Sequence, residues 1–126
     1  MNAHPTKELL ATEAAQHLQA IAARSEPLKP KDRLKIPAQA MPAQDPAVRR
    51  GNIEEVARGY SPEQARLEAL RCFQCKKAPC IEGCPVRIDI PAFVRAITED
   101  HVKQAIDIIK RNSLLPSVCG RVCPQE

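Results

Sequence analysis

The sequence predicts an all-α protein of short helices joined by proline-rich and cysteine-rich loops. Three observations lead there. Apolar residues recur at helical spacing in several segments, and no segment shows the strict alternation of a half-buried strand. Helix-start and helix-stop residues stand at the ends of those segments. Aromatic content is only 2% against 44% hydrophobic residues overall, so any core is thin and wants a staple such as a metal or disulfides.

Taken in order, Thr6 can cap a helix over residues 7–23. Leu10, Ala14, Leu18 and Ile21 give it one apolar stripe, which is expected to pack on a partner surface or a neighbouring domain. Residues 25–47 carry Pro27, Pro30, Pro37, Pro42 and Pro46, which interrupt any helix or interior strand. This stretch reads as an extended linker lying along another surface, and its KPKDRLK segment as solvated chain. In NIEEVARG, Asn52 caps, a Glu follows three residues on and Gly59 stops, predicting a short helix over 53–58. In SPEQARLEALR, Ser61 caps, Pro62 takes the first helical position and Gln64 completes a capping box. That helix runs to about Arg71 and delivers the chain into Cys72. Pro91 opens a further helix with Phe93 and Ile97 one turn apart. Asp100 is the expected cap of a last helix over 101–111, with Val102, Ile106 and Ile109 on one face and Asn112 as a left-handed stop.

The net charge of +4 is mild and the basic residues stand singly or in pairs, so nucleic-acid binding is not expected. The first residues hold no apolar signal region, and no run approaches a membrane span. A cytoplasmic protein with reduced thiols is expected, which turns the six cysteines toward metal or redox chemistry.

Four of them lie within thirteen residues: Cys72-x2-Cys75-x4-Cys80-x3-Cys84, followed by proline. Cys119-x3-Cys123-Pro124 repeats the C-x3-C-P pattern. A cubane iron–sulfur cluster takes three ligands from one loop and a fourth from elsewhere, and two-cluster ferredoxins send the cysteine before proline to the other cluster. Ala78-Pro79 can hold a turn within the longer x4 spacing. Ile81, Val86, Ile88 and Ile90 could keep water from a cluster. Zinc is the first rival, with Cys72, Cys75, Cys119 and Cys123 in a tetrahedral site that leaves Cys80 and Cys84 idle. Disulfides and a CxxC redox pair are further alternatives, the latter without a strand–helix unit to carry it. His17 reads as a surface or boundary residue, His4 and His101 as tail and helix-start residues. No Ser–His–Asp set or Gly-rich phosphate loop is visible, and four glycines do not encode a dinucleotide fold.

The segments EALRCFQCKKAPCIEGCPVRIDIPAFVRAI and LLPSVCGRVCPQE resemble the N-terminal iron–sulfur domain of the NADPH-dependent glutamate synthase small subunit, which also occurs in dihydropyrimidine dehydrogenase and related NAD(P)H-dependent flavoprotein oxidoreductases. The likeness covers about 45–126. It implies an α-helical ferredoxin-like domain with two 4Fe–4S clusters that pass electrons between a flavin domain and a second redox site. By position, Cys72, Cys75 and Cys80 match ligands of one cluster, and Cys84 and Cys123 match ligands of the other. Cys119 matches a family cysteine that is not a ligand. That implies a buried thiol near the cluster and makes ligation its second reading.

The resemblance divides the chain into an N-terminal helix and proline-rich linker, 1–47, and an iron–sulfur-binding helical domain, 48–126, incomplete at its C-terminus. In the family a further C-x3-C pair, another ligand and the FAD and NADPH domains follow CPQE. By that template one cluster lacks its fourth ligand and the other lacks two, so a piece of a longer protein is expected, with no turnover of its own. Clusters could then be absent here, the loop 72–84 moving in a metal-free domain. The implied partners are a flavin/NADPH domain or subunit and a redox partner such as a glutamate synthase large subunit, with no nucleic acid and no membrane. The electron acceptor stays open. The rival of another class is a zinc-stapled helical interaction module.

Overall fold

A computed structural model describes residues 5–123, which form eight helices and no strand among the described residues. The chain divides into two units, the first ending at Arg71 and the second beginning at Cys72. No helix among the described residues is long and apolar enough to cross a membrane. His4 and Pro124 lie outside the described residues.

The first unit holds α1 (Lys7–Ala22), α2 (Pro30–Arg33), α3 (Pro46–Arg49) and α4 (Pro62–Leu70). The Thr6 hydroxyl accepts from the Leu9 amide at 3.3 Å and starts α1. The predicted stripe of α1 packs on α4 of its own unit, where the sequence suggested a partner surface. Ala14, Ile36 and Leu67 are buried together, with Leu18, Ile21, Leu28 and Leu70 closing around them. Ala14 lets the two helix backbones approach, and Leu67 fills the space; burying one such leucine contributes ~1.5–3 kcal/mol.

The proline-rich stretch is folded against this pair. Ile36 supplies a core residue, and Pro42 is fully buried. The Gln39 amide donates to Glu68 at 2.9 Å, and the Tyr60 hydroxyl donates to the Gln39 carbonyl at 2.9 Å. KPKDRLK is also more than solvated chain. It contains α2, capped by Asp32, whose carboxylate accepts from the Lys29 amide at 3.2 Å and pairs with Arg24 at 3.0 Å.

The helix expected over 53–58 does not form. The backbone groups of these residues find other partners. Gln44 N–H donates to Val56 O at 2.8 Å, Arg58 N–H donates to Pro42 O at 2.7 Å, and Ala43 and Ala57 form an isolated antiparallel bridge. The buried Gln44 side chain donates to Glu55 O at 3.0 Å. Asn52 still acts locally, accepting from the Glu54 amide at 2.9 Å, but this closes a turn and starts no helix.

The α4 signals are realised in full. Ser61 Oγ accepts from Gln64 N–H at 3.2 Å, and Gln64 Oε1 accepts from Ser61 N–H at 3.3 Å. Arg71 caps the C-terminus and pairs with Glu68.

The second unit holds α5 (Pro79–Gly83), α6 (Ile90–Thr98), α7 (Val102–Lys110) and α8 (Pro116–Val122). Ala96, Ala105 and Ile108 form the buried α6–α7 contact, with Ala92, Phe93 and Ile97 against it. The buried face of α7 is thus rotated from the expected one, and Val102 is 66% exposed. Asp100 does not cap α7; His101 occupies that position. Asp100 has φ 63° and ends α6 instead, with His101 N–H donating to Ala96 O at 2.8 Å and Asp100 N–H to Ile97 O at 3.1 Å. That pair of bonds is a Schellman ending, in which the left-handed residue satisfies the last carbonyls. Asn112 is not left-handed: among the described residues the positive-φ non-glycine ones are Gln74, Arg87 and Asp100. The last turn of α7 closes with Ser113 N–H on Ile109 O at 3.1 Å.

Candidate metal centre

Five of the six thiols sit at a helix end or in the loop between helices, and the sixth, Cys119, lies inside a helix. Cys72 follows the α4 cap directly and is half-buried, and Cys75 is exposed in the same loop. Cys80 stands in the first turn of α5, exposed, and Cys84 is its half-buried C-cap. Cys119 lies within α8, half-buried, and Cys123 ends that helix, exposed. None of the six is in a disulfide. Among the described residues no three His, Cys, Asp or Glu side chains converge on one point that could hold a metal ion. Among the described residues the structure therefore does not gather the predicted ligands.

Two of the backbone turns around them are strained. Gln74, between Cys72 and Cys75, has φ 53°, and Arg87, three residues past Cys84, also has φ 53°. Left-handed backbone costs a side-chain-bearing residue ~1–2 kcal/mol, and such strain collects where function over-determines the chain.

The turn after Cys84 shows what the strain accomplishes. Pro85 has no N–H, so the first amide past the cysteine is that of Val86. The amide of Ile88 foremost, with those of Val86 and Arg87, holds the Cys84 thiol below its ordinary pKa, against the opposing effect of burial. Arg87 N–H also donates to Cys84 O at 2.9 Å. A thiolate is the ligating form of cysteine, and this shift favours it. Ile81, Ile88 and Ile90 are half-buried, whereas Val86 is 38% exposed.

Around Cys72 the Gln74 side chain takes the corresponding part. Its amide nitrogen lies 3.5 Å from Cys72 Sγ and 3.0 Å from the Pro91 carbonyl at the start of α6. Cys119 Sγ lies 3.4 Å from the buried Ser113 hydroxyl. Sequence reading did not single out Gln74, Ser113 or the 86–88 amides. The Cys84-Pro85 dipeptide was a usable sign of a turn here, since proline removes one donor and fixes the entry angle. Nothing in the sequence marks a glutamine as left-handed. His17 is exposed as expected, and His101 is exposed with Nδ1 3.5 Å from Glu99.

The donor set fits a thiolate-bound cluster rather than a hard cation. All the candidate ligands are sulfur, which suits iron–sulfur clusters and zinc, and amides directed at sulfur are the protein's usual means of holding a cluster thiolate. An all-α chain with such loops belongs to the class of thiolate-ligated metal-cluster proteins. Residues 49–126 match the family described as dihydropyrimidine dehydrogenase domain II, 4Fe-4S cluster, and the chain belongs to that family.

Among similar proteins, a NAD-dependent dihydropyrimidine dehydrogenase subunit PreT homolog of Salmonella typhi is 40% identical over 74 residues, 59% of this chain and 18% of the relative. The glutamate synthase [NADPH] small chain of Azospirillum brasilense is 36% identical over 90 residues, 71% of this chain and 19% of the relative. The NADPH-Fe(3+) oxidoreductase subunit beta of Geobacter sulfurreducens is 57% identical over 47 residues, 37% of this chain and 7% of the relative. The chain thus spans less than a fifth of the length of these relatives. What they share with it is a 4Fe–4S domain of oxidoreductases, and electron transfer is the function of that domain class.

Proposed function

We propose that this chain is the cluster-bearing part of a NAD(P)H-dependent oxidoreductase of the glutamate synthase small-subunit type, relaying electrons from a reduced flavin to a second redox site. Cys72, Cys75 and Cys80 would hold one 4Fe–4S cluster, and Cys84 and Cys123 would contribute to a second. Bound there, such clusters take up and pass on single electrons. FAD and NADPH would belong to other domains or subunits, and a large glutamate synthase-type subunit is the proposed acceptor. The observation that carries the reading is the Cys72-x2-Cys75-x4-Cys80-x3-Cys84-Pro85 run, in a chain of the 4Fe–4S family.

The chain's own residues have three tasks. Gln74, bonded to the Pro91 carbonyl, ties the Cys72–Cys75 loop to the start of α6. The amides of Ile88, Val86 and Arg87 stabilise negative charge on the Cys84 sulfur, and Ile81, Ile88 and Ile90 exclude water from its surroundings. Cys119, hydrogen-bonded to Ser113, stays a non-ligating thiol.

The test is iron, zinc and acid-labile sulfide per chain, with a visible spectrum, on anaerobically prepared protein. Iron and sulfide in matching amounts with broad absorption support the reading. Stoichiometric zinc without sulfide, persisting after reconstitution with iron and sulfide, would refute it in favour of the structural module.

A further inference from the structure

Gln74 is placed oddly for a loop glutamine. Its backbone is left-handed at φ 53°, a conformation that glycine or asparagine would adopt more readily. Its side chain is nonetheless half-buried and engaged at both available protons. A primary amide nitrogen donates twice. One donor direction is taken by the Pro91 carbonyl at 3.0 Å, which ties the Cys72–Cys75 loop to the first turn of α6. The other is available to Cys72 Sγ at 3.5 Å, a suitable N···S separation given the larger radius of sulfur. Because Pro91 O is fixed on a helix, the amide is aimed before any cluster arrives.

We propose that Gln74 is a positioning residue for Cys72 in the cluster-bound protein: its amide orients the ligand sulfur and, by an N–H···S bond, raises the reduction potential of the cluster that Cys72 holds. The inference rests on the proposed role of Cys72 as a ligand and deepens it. The electrostatics are direct. Reduction adds negative charge that is shared by the ligand sulfurs, and a donor aimed at one of them stabilises the reduced state more than the oxidised state. The Cys72 donor is a side chain and can be changed by itself. This makes Gln74 a position at which the potential of one cluster is adjustable.

The experiment uses the full chain, reconstituted anaerobically with iron and sulfide, and compares Gln74→Met, Gln74→Glu and Gln74→Gly. Met keeps the length without a donor, Glu places a carboxylate oxygen where the amide nitrogen was, and Gly relaxes the backbone while removing the side chain. Readouts are iron and sulfide per chain, the midpoint potentials, and the iron–sulfur stretching frequencies by resonance Raman. One midpoint is expected to move to more negative values in all three variants, furthest in Glu, with an upward shift of one Fe–S(Cys) stretch. The second cluster, where loaded, keeps its potential. Should Met or Gly not load, Glu and the remaining variant carry the comparison. Unchanged midpoints and stretches in fully loaded variants would overturn this proposal while leaving the function above intact. An unmodified chain that takes only zinc would overturn both.

Discussion

Gln64 is fully buried at 0% exposure, and its side chain joins two segments. Its Oε1 accepts from Ser61 N–H at 3.3 Å and its Nε2 donates to Ala40 O at 3.1 Å, so it secures both the start of α4 and the proline-rich stretch beside it. Gln64→Ala removes both bonds. Ala40 is exposed, so its carbonyl can recover a water, and that loss is ~0.5–1 kcal/mol. Ser61 is only 5% exposed, so its amide is left largely unsatisfied, at ~1–2 kcal/mol. Lost packing of the side-chain stem adds ~1 kcal/mol. The expected total is about 3 kcal/mol, against about 1 kcal/mol for Ser61→Ala, which removes a single cap bond. For a unit of this size that corresponds to a fall in melting temperature of ~12 °C or more. Urea unfolding followed by circular dichroism measures it, and amide exchange localises it to α4 and the 39–44 segment. The Ser61→Ala/Gln64→Ala double variant should cost less than the sum of the two, because the bonds are reciprocal. A Gln64→Ala cost below ~1 kcal/mol, or strict additivity, would show that the buried amide does not hold these segments together.

Further outcomes follow from the same geometry. Leu67→Ala opens a cavity between Ala14 and Ile36 and should cost ~2–5 kcal/mol in chemical unfolding, with the exchange protection of α1 and α4 falling most. Asp100→Gly removes the left-handed penalty at the α6 ending and should stabilise by ~0.5–1 kcal/mol in the same assay, whereas Asp100→Val should destabilise. Cys72→Ser, Cys75→Ser and Cys80→Ser should each lower iron and sulfide per chain, and Cys119→Ser should leave both near the unmodified level; equal losses across all four would mean that the thiols are not differentiated. Exposing the reconstituted chain to a strong iron chelator and oxidant should bleach the visible absorption and leave the α6–α7 contact intact, because Ala96, Ala105 and Ile108 are held by packing alone.

The sequence by itself determined whatever depends on neighbours in the chain. Ser61, Pro62 and Gln64 begin α4 within one turn, so their side chains reach the groups they cap without any tertiary help. The Cys72–Cys84 spacing and the Cys-Pro dipeptide likewise favour iron–sulfur chemistry over zinc locally, and that chemistry is the part the family match bears out. Tertiary structure decided the cases where two distant segments compete for the same backbone groups. Residues 53–58 carry plausible helix signals, yet Pro42 and Gln44 take their N–H and C=O groups, because a pairing partner already ordered by Gln44 outweighs an unsupported single turn. Asp100 has a capping side chain, but the α6 carbonyls need a left-handed residue at that point, and their two hydrogen bonds outweigh one cap. The Gln74 amide finds Cys72 only because α6 brings the Pro91 carbonyl, seventeen residues along the chain, within 3.0 Å of it. Long-range contacts of this kind fix a side chain's aim, and aim is not encoded in spacing.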